Sequence, residues 1–212
     1  MIYCGISLAQ IPCGGMSDAV FSGRGVMGTE VTKKLFTVDE YHRMGEVGII
    51  DSDARVELLE GEIIEMSPVG YKHIYCVNRA TALFFARLTG KVIVSVQNPV
   101  VLSQYTEPQP DILLARFRPD FYKDKRISSE DTVLAMEISD TTLRKDRDLK
   151  MPLYAKARVP ELWIENLQKD VLLVFRDPGP KTYATSLTLH RGESISLTAF
   201  PDIVFKVEEL LG

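Results

Sequence analysis

The chain is organised around residues 131–166, DTVLAMEISD TTLRKDRDLK MPLYAKARVP ELWIEN. An apolar run typical of a strand carries one acid, Glu137, near its C-terminal end. A charged segment with helical spacing follows, in which Asp146 and Lys150 lie one turn apart. A second strand-like run surrounds Trp163. The order of strand, helix and strand indicates an α/β core. The acids and the lysine stand at the ends of elements, where metal-assisted phosphodiester chemistry is commonly built.

The segments on either side supply further elements of the same core. Thr37, with Glu40 three residues later, predicts a capping box at the start of a short helix. The run 55–68 predicts two short strands joined by a tight turn at Glu60-Gly61. The other predicted elements are a long helix at 71–89, a long strand at 91–103 bent at Pro99, a short strand at 108–116, a meander of strands over 171–197 and a short helix at 207–212. This order indicates a mixed sheet within a single domain.

Composition narrows the class of protein. The 212 residues are 45% apolar and 25% charged, which is typical of one globular domain, and no apolar run is long enough to span a bilayer. The net charge of −4 supplies no general attraction for nucleic acid, so a polyanion would need a local basic patch or a metal ion. Three widely spaced cysteines predict neither disulfides nor a zinc site, which fits a cytoplasmic protein. Residues 1–35 are rich in Gly, Ser and Met and predict a poorly ordered extension before a domain at 36–212.

Two acids on neighbouring predicted strands are candidates for a metal site. Asp111 follows Pro110 at the start of one apolar strand, and Glu137 lies near the end of another. Mg²⁺ prefers oxygen ligands, typically one or two carboxylates with water and phosphate oxygens. Asp111, Glu137 and the backbone carbonyl of Ile138 form a suitable set.

The predicted helix at 141–158 carries an unusual stripe. Residues at helical spacing on one face are Leu143, Asp146, Lys150, Leu153 and Ala157. An Asp and a Lys therefore occupy the middle of the face that should meet the core, where burial costs several kcal/mol unless the charges are paired or bound. A lysine directed at an acidic metal site can hold the attacking water and neutralise charge on phosphate.

These features resemble the PD-(D/E)XK nuclease superfamily, and specifically its Uma-two branch of restriction-endonuclease-like proteins. The resemblance covers Phe36 to Leu211. The motifs that carry it are RVELLEGEII at 55–64, His73 near the start of the long helix, QPDILLAR at 109–116, MEISDTTLRKDRDLK at 136–150, and Tyr154 followed by VPELWIEN at 159–166. It implies a mixed central sheet flanked by the helices at 71–89 and 141–158, with β-hairpins added at both ends.

The resemblance also implies roles for individual residues. Asp111 matches the aspartate of the PD motif, and Glu137 matches the second metal-binding acid. The superfamily's lysine usually lies two residues after that acid, where this chain has Ser139. The Uma-two branch moves the lysine into the following helix, which points to Lys150, preceded by the matching acid Asp146.

Two further matches lie outside this segment. Glu57, in the predicted hairpin, matches an acid that lies near the site in this branch and is a candidate metal ligand. His73 matches a histidine at the helix entry that would contact phosphate or the metal-bound water. The chain departs from the branch at Asp140, where proline is usual, and at Arg158, where glycine is usual. Pro152 is expected to kink or restart the helix.

The activity that the resemblance implies is Mg²⁺-dependent endonucleolytic hydrolysis of DNA, with Mn²⁺ as a substitute. Many nucleases of the superfamily act as dimers, so the resemblance admits a homodimer. Two alternatives stay open: a non-catalytic module that keeps the fold and binds nucleic acid or a partner, and hydrolysis of another phosphate ester. Taken alone, Asp146 and Lys150 would also fit an exposed ion pair, and the basic residues of loop 116–130 a solvated surface. Tyr154 and Trp163 are interpreted as core residues.

Overall fold

A six-stranded mixed sheet forms the centre of the computed structural model, which describes residues 32–212. The elements in chain order are α1 (Val38–Glu46), β1 (Val56–Leu59), β2 (Glu62–Glu65), α2 (Tyr71–Leu88), β3 (Val92–Val96), β4 (Ile112–Arg116), β5 (Thr132–Ser139), a π-helical segment (Lys145–Lys150), α3 (Met151–Lys156), β6 (Glu161–Asn166), β7 (Val171–Pro178), β8 (Tyr183–Leu189), β9 (Ser194–Leu197), β10 (Phe200–Lys206) and α4 (Val207–Leu210), with a 3₁₀ turn at Ser129–Asp131. Residues 1–31 of the expected extension lie outside this range.

The sheet has the strand order β3-β4-β5-β6-β7-β8. Strands β5 and β6 pair in parallel, and the other neighbours pair antiparallel. The two remaining strand pairs, β1–β2 and β9–β10, form separate antiparallel hairpins. The predicted α/β core with a mixed sheet and added hairpins is therefore confirmed.

Both faces of the sheet are covered. All eight residues of β5 are buried, and alternate side chains enter two different cores. On one face Met136 packs with Phe84 of α2 and Trp163 of β6; on the other Ala135 packs with Tyr154 of α3. Full burial of a large apolar side chain stabilises the fold by roughly 1.5–3 kcal/mol. Strand β5 thus holds Glu137 in a buried position within the central sheet.

The predicted local signals at the N-terminal end of the described region are confirmed. Thr37 caps α1 through a capping box with Glu40. Glu60 and Gly61 both adopt positive φ, 49° and 83°, as a two-residue hairpin turn between right-twisted strands requires. A Cβ on Gly61 would lie only 2.6 Å from that of Leu35, so glycine is needed there for space as well as for conformation. The hairpin therefore holds Glu57 at a fixed place on β1.

The prediction of one long strand at 91–103 is wrong. Strand β3 ends at Val96, because Gln97 takes a left-handed conformation with φ 50° and donates its N–H to the carbonyl of Asp111. Pro99 then offers no N–H for a ladder. The residues that follow form only isolated bridges, at Val101 and Ser103.

The segment predicted as one helix at 141–158 has two parts. Its first part has π-helical geometry, with the N–H of Met151 bonded to the carbonyl of Asp146, five residues earlier. The helix restarts as α3, and Pro152 lies in its first turn, where a missing N–H costs little. The predicted restart at Pro152 is confirmed, and the proline does not break the turn that carries Lys150. None of the helices between residues 32 and 212 is long and apolar enough to cross a membrane.

Candidate active site

A pocket opens where the ends of several elements meet. Its walls come from the β1–β2 hairpin, residues 66–70, the first turn of α2, the start of β4, the end of β5 and residues 140–150. Its volume is about 80 Å³, enough for a few water molecules. Every residue assigned to the site from the sequence lines this pocket: Glu57, His73, Asp111, Glu137, Ile138, Asp146 and Lys150.

Asp111 is fixed just before β4 by three groups. Its Oδ1 lies 2.9 Å from Nε2 of His73 and accepts a hydrogen bond of 3.3 Å from the Gln97 side chain. Its Oδ2 accepts a 2.8 Å hydrogen bond from the backbone N–H of Ile138. Burial lowers the pKa of His73, but the hydrogen bond and charge of Asp111 outweigh burial and raise that pKa overall. His73 thus meets the predicted metal-binding acid directly.

Glu137 is buried beside a lysine and a tyrosine. Its Oε1 accepts hydrogen bonds from Nζ of Lys150 at 3.0 Å and from the hydroxyl of Tyr154 at 2.8 Å. Burial raises the pKa of Glu137 well above its ordinary value, and the acids around it add to this effect against the lysine's charge. Burial also raises the pKa of Tyr154, with Glu137 adding to the shift, so the phenol stays a neutral donor.

Lys150 lies among three carboxylates. Its Nζ is 3.0 Å from Glu137, 3.2 Å from Glu57 and 3.9 Å from Asp146. Burial lowers the pKa of the ammonium, but the three acids outweigh burial and raise it. Burial likewise raises the pKa of Glu57, and the charges of Lys150 and Lys145 reverse that shift to a net lowering. Lys150 is therefore a buried, charged group whose position is set by acids from three elements.

Lys145 and two hydroxyls complete the surroundings. Nζ of Lys145 lies 2.7 Å from Oε1 of Glu57 and forms an ion pair with it. Oδ2 of Asp146 accepts hydrogen bonds from Ser139 at 2.6 Å and Thr142 at 2.7 Å. Asp146 is thereby held by Ser139, which stands where the plain form of the superfamily carries its lysine.

The donor set fits a hard divalent ion. Among residues 32–212, no three His, Cys, Asp or Glu side chains are arranged as a preformed cage. Mg²⁺ needs only one or two carboxylates, because it keeps several waters. Asp111 and Glu137 supply two carboxylates to one pocket, and the acids around Lys150 exceed the buried positive charge there. The backbone N–H of Ile138 donates to Asp111. The role of the Ile138 carbonyl as a metal ligand stays a prediction.

The sequence interpretation misses the polar role of Tyr154, which it assigns to the core alone. The ring is in the core, but the hydroxyl reaches Glu137. The available signal is the position of Tyr154 four residues after Lys150, on the same side of the helical segment.

The basic loop 116–130 is an ordinary charged surface. Ion pairs join Arg118 to Asp120, Lys125 to Asp131 and Arg126 to Asp39. These cations are already neutralised by neighbouring acids, which favours the solvated-surface interpretation over a phosphate-binding patch.

The mixed sheet has an acid just before β4 and another near the end of β5, beside a buried lysine in one pocket, which is the arrangement expected of restriction-endonuclease-like folds. The chain belongs to the family whose model is described as "Uma2: Putative restriction endonuclease", which matches residues 38–208. The resemblance found in the sequence is thereby confirmed, and the family supports a nuclease-like function.

A solved structure agrees with the fold. It is described as a "putative nuclease belonging to DUF820 from Anabaena variabilis ATCC 29413", and the match has a TM-score of 0.65 and 13% identity over 83% of this chain and 97% of the other. At that identity the likeness concerns the fold alone. A comparison with curated proteins finds no match.

Proposed function

We propose that this protein is a Mg²⁺-dependent endonuclease that hydrolyses phosphodiester bonds in DNA. The observation that carries the proposal is the buried, charged Lys150 among Glu57, Glu137 and Asp146, in the same pocket as Asp111. Burying an excess of acids destabilises the folded state, and a site that binds a cation and a phosphate would account for this arrangement. Family membership supports the same class of reaction.

Asp111 and Glu137 are the residues that would hold the ion, with Mn²⁺ able to replace Mg²⁺. A divalent ion at these carboxylates supplies Lewis-acid stabilisation of the charge that develops on the scissile phosphate. His73 and the N–H of Ile138 fix the orientation of the Asp111 carboxylate. This assigns His73 a positioning role through Asp111.

Lys150 is the residue we assign to the attacking water. An ammonium has three N–H donors; one donates to Glu137 at 3.0 Å, and Glu57 lies 3.2 Å from Nζ as an ion pair. A further donor remains to orient a water molecule in the pocket and to stabilise negative charge on phosphate. Asp146, 3.9 Å away and anchored by Ser139 and Thr142, sets the approach of the ammonium.

Glu57 is also a predicted metal ligand. Its carboxylate lies against Lys150 and Lys145, and its Oε2 also accepts the backbone N–H of Gln109 at 3.2 Å. These contacts support a positioning role for Glu57, which holds Lys150 in its charged form, ahead of a role as a ligand.

A non-catalytic nucleic-acid-binding or partner-binding module is the second candidate. The observation in its favour is that Lys150 and Glu137 already pair with each other, as they would in a structural ion pair. Calorimetric titration with Mg²⁺ and Mn²⁺ separates the two candidates. Absence of binding, with Glu137→Ala changing stability alone, supports the module.

The test of the nuclease proposal is cleavage of plasmid DNA with Mg²⁺ or Mn²⁺. Lys150→Ala should lower the rate by about 10²–10³-fold, as removal of a transition-state donor does in other enzymes, and Glu137→Ala and EDTA should abolish cleavage. Lys156→Ala is the matched control, because this lysine lies in the same segment with a 69% exposed side chain. Metal-dependent cleavage that survives both site changes contradicts the assignment.

RNA and mononucleotides tested in parallel define the substrate, and activity confined to mononucleotides overturns the DNA proposal.

A further inference from the structure

Tyr154 is a core residue with one polar atom directed at the site. The side chain, on α3, is fully buried and packs with Leu113, Ala135 and Ile164. Its hydroxyl donates a 2.8 Å hydrogen bond to Oε1 of Glu137. A buried phenol needs such a partner, but a backbone carbonyl would serve equally well for stability. The choice of an acid at the pocket therefore needs its own explanation.

The two hydrogen bonds to Glu137 fall on the same oxygen. Lys150 at 3.0 Å and Tyr154 at 2.8 Å both meet Oε1. Both hydrogen bonds that Glu137 accepts from the described residues fall on Oε1, so the lone pairs of Oε2 stay available to another partner. Glu137 lines the pocket, so we take Oε2, the oxygen outside these two hydrogen bonds, as the one available to an added cation.

We propose that Tyr154 is a positioning residue that clamps Oε1 of Glu137 and thereby presents Oε2 as the oxygen ligand for a divalent cation. The inference rests on the proposed metal-dependent function and adds a residue to it. Partners of a metal-binding carboxylate fix its rotation and tune its affinity, so their loss weakens metal binding while the ligand itself stays in place.

Lys150 alone is a poorer clamp than the pair. Its ammonium sits at the end of a flexible chain and is shared with Glu57. Tyr154 has two side-chain torsions, and its ring is locked by core packing, so its hydroxyl has a nearly fixed position. The tyrosine sets the orientation of the carboxylate, and the lysine supplies the charge.

Tyr183 offers a matched control. It is also a buried tyrosine of the same apolar cluster, and its hydroxyl donates a 2.9 Å hydrogen bond to the carbonyl of Val159. Tyr183→Phe and Tyr154→Phe each delete one buried hydroxyl and its hydrogen bond. Only the second touches a carboxylate of the pocket.

The experiment is calorimetric titration of Mn²⁺ into the full chain and the two variants, with the rise in melting temperature at saturating Mn²⁺ as a second measurement. Tyr154→Phe should weaken Mn²⁺ binding by about 10–100-fold and reduce the Mn²⁺-induced rise. Tyr183→Phe should bind Mn²⁺ like the wild type, whatever its own melting temperature.

The outcomes separate this inference from the function on which it rests. Wild-type binding with equal affinity in Tyr154→Phe overturns the role of Tyr154 and leaves the metal site standing. Equal weakening in both phenylalanine variants also overturns it, because the effect would then be general loosening of the core. No Mn²⁺ binding by the wild type overturns the metal-dependent function, and the positioning role falls with it.

Discussion

Glu137 and Glu161 are both buried next to a basic side chain, yet their carboxylates are satisfied in different ways. Oε1 of Glu161 accepts from Trp163 and twice from Arg176 at 2.7–2.8 Å, and Oε2 accepts the N–H of Thr198 at 2.9 Å. Glu137 receives both of its hydrogen bonds on Oε1 and shares its lysine with other acids. Glu161 is a closed structural pair, whereas Glu137 keeps capacity for a further cation.

The contrast between these two glutamates distinguishes a candidate binding site from a structural ion pair. The structural pair of Glu161 balances one acid with one base, and both of its carboxylate oxygens accept hydrogen bonds. The pocket instead gathers Glu57, Glu137 and Asp146 around Lys150, and burial raises the pKa of Glu137 well above its ordinary value. Excess buried acid is unfavourable for the folded state by itself, and its presence at a pocket supports the proposed metal-dependent function.

Breaking the structural pair should give the largest loss of stability. Arg176→Met leaves Glu161 buried without its cation, so we expect the free energy of unfolding to fall by about 3–5 kcal/mol. Urea denaturation measures the change, and Mn²⁺ titration of the folded variant should match the wild type. A loss below about 1 kcal/mol, the range of exposed pairs, would show that the Glu161 pair is not a closed structural unit.

Much of the fold and part of the site follow from local sequence signals. The capping box at Thr37 and the turn at Glu60-Gly61 depend on residues close in sequence, and both are confirmed. Helical spacing predicts Asp146 and Lys150 on a buried face, and both are buried. Such signals can be recognised from the sequence alone, because they depend on residues that are close together along the chain.

Other features depend on how distant elements meet. Strand β3 ends at Val96 because the left-handed Gln97 bonds to Asp111, which lies 14 residues further along the chain, beyond the reach of any local pattern. The hydroxyl of Tyr154 finds Glu137 only because α3 packs on β5. Which carboxylate oxygen meets which lysine is likewise a matter of tertiary geometry, since neither spacing nor composition determines it.

A third glutamate, Glu165 on β6, tests what burial does without an ion pair. It is fully buried, and no basic side chain of the described residues forms an ion pair with it. Neither oxygen has a partner in hydrogen-bond geometry, although the thiol of Cys76 lies close enough to act as a weak donor. Burial accordingly raises the pKa of Glu165 to about 7 from an ordinary 4.5.

Glu165→Gln should therefore change stability in a way that depends on pH. The folded-state pKa lies above the unfolded one, so the stability contributed by this carboxyl is complete below pH 4.5 and is lost as the pH rises to about 7. At pH 8 the variant should gain up to roughly 3 kcal/mol over the wild type, and at pH 4.5 the two should be close. Urea denaturation at both values measures the gain, and an equal difference at the two pH values would contradict the expectation.

The most direct test of the comparison replaces each contrasted glutamate by its neutral isostere. Glu161→Gln weakens charged hydrogen bonds to Arg176, so the free energy of unfolding should fall by about 1.5–3 kcal/mol. Glu137→Gln removes one of the acids that exceed the positive charge around Lys150, so without metal at pH 8 stability should rise. Saturating Mn²⁺ should reverse the second result, because it stabilises only the chain that binds it. Urea denaturation of both variants, with EDTA and with Mn²⁺, gives the four free energies of unfolding. Loss of stability in both variants with EDTA would mean that Glu137 is as fully satisfied as Glu161, and the distinction between pocket and structural pair would fail.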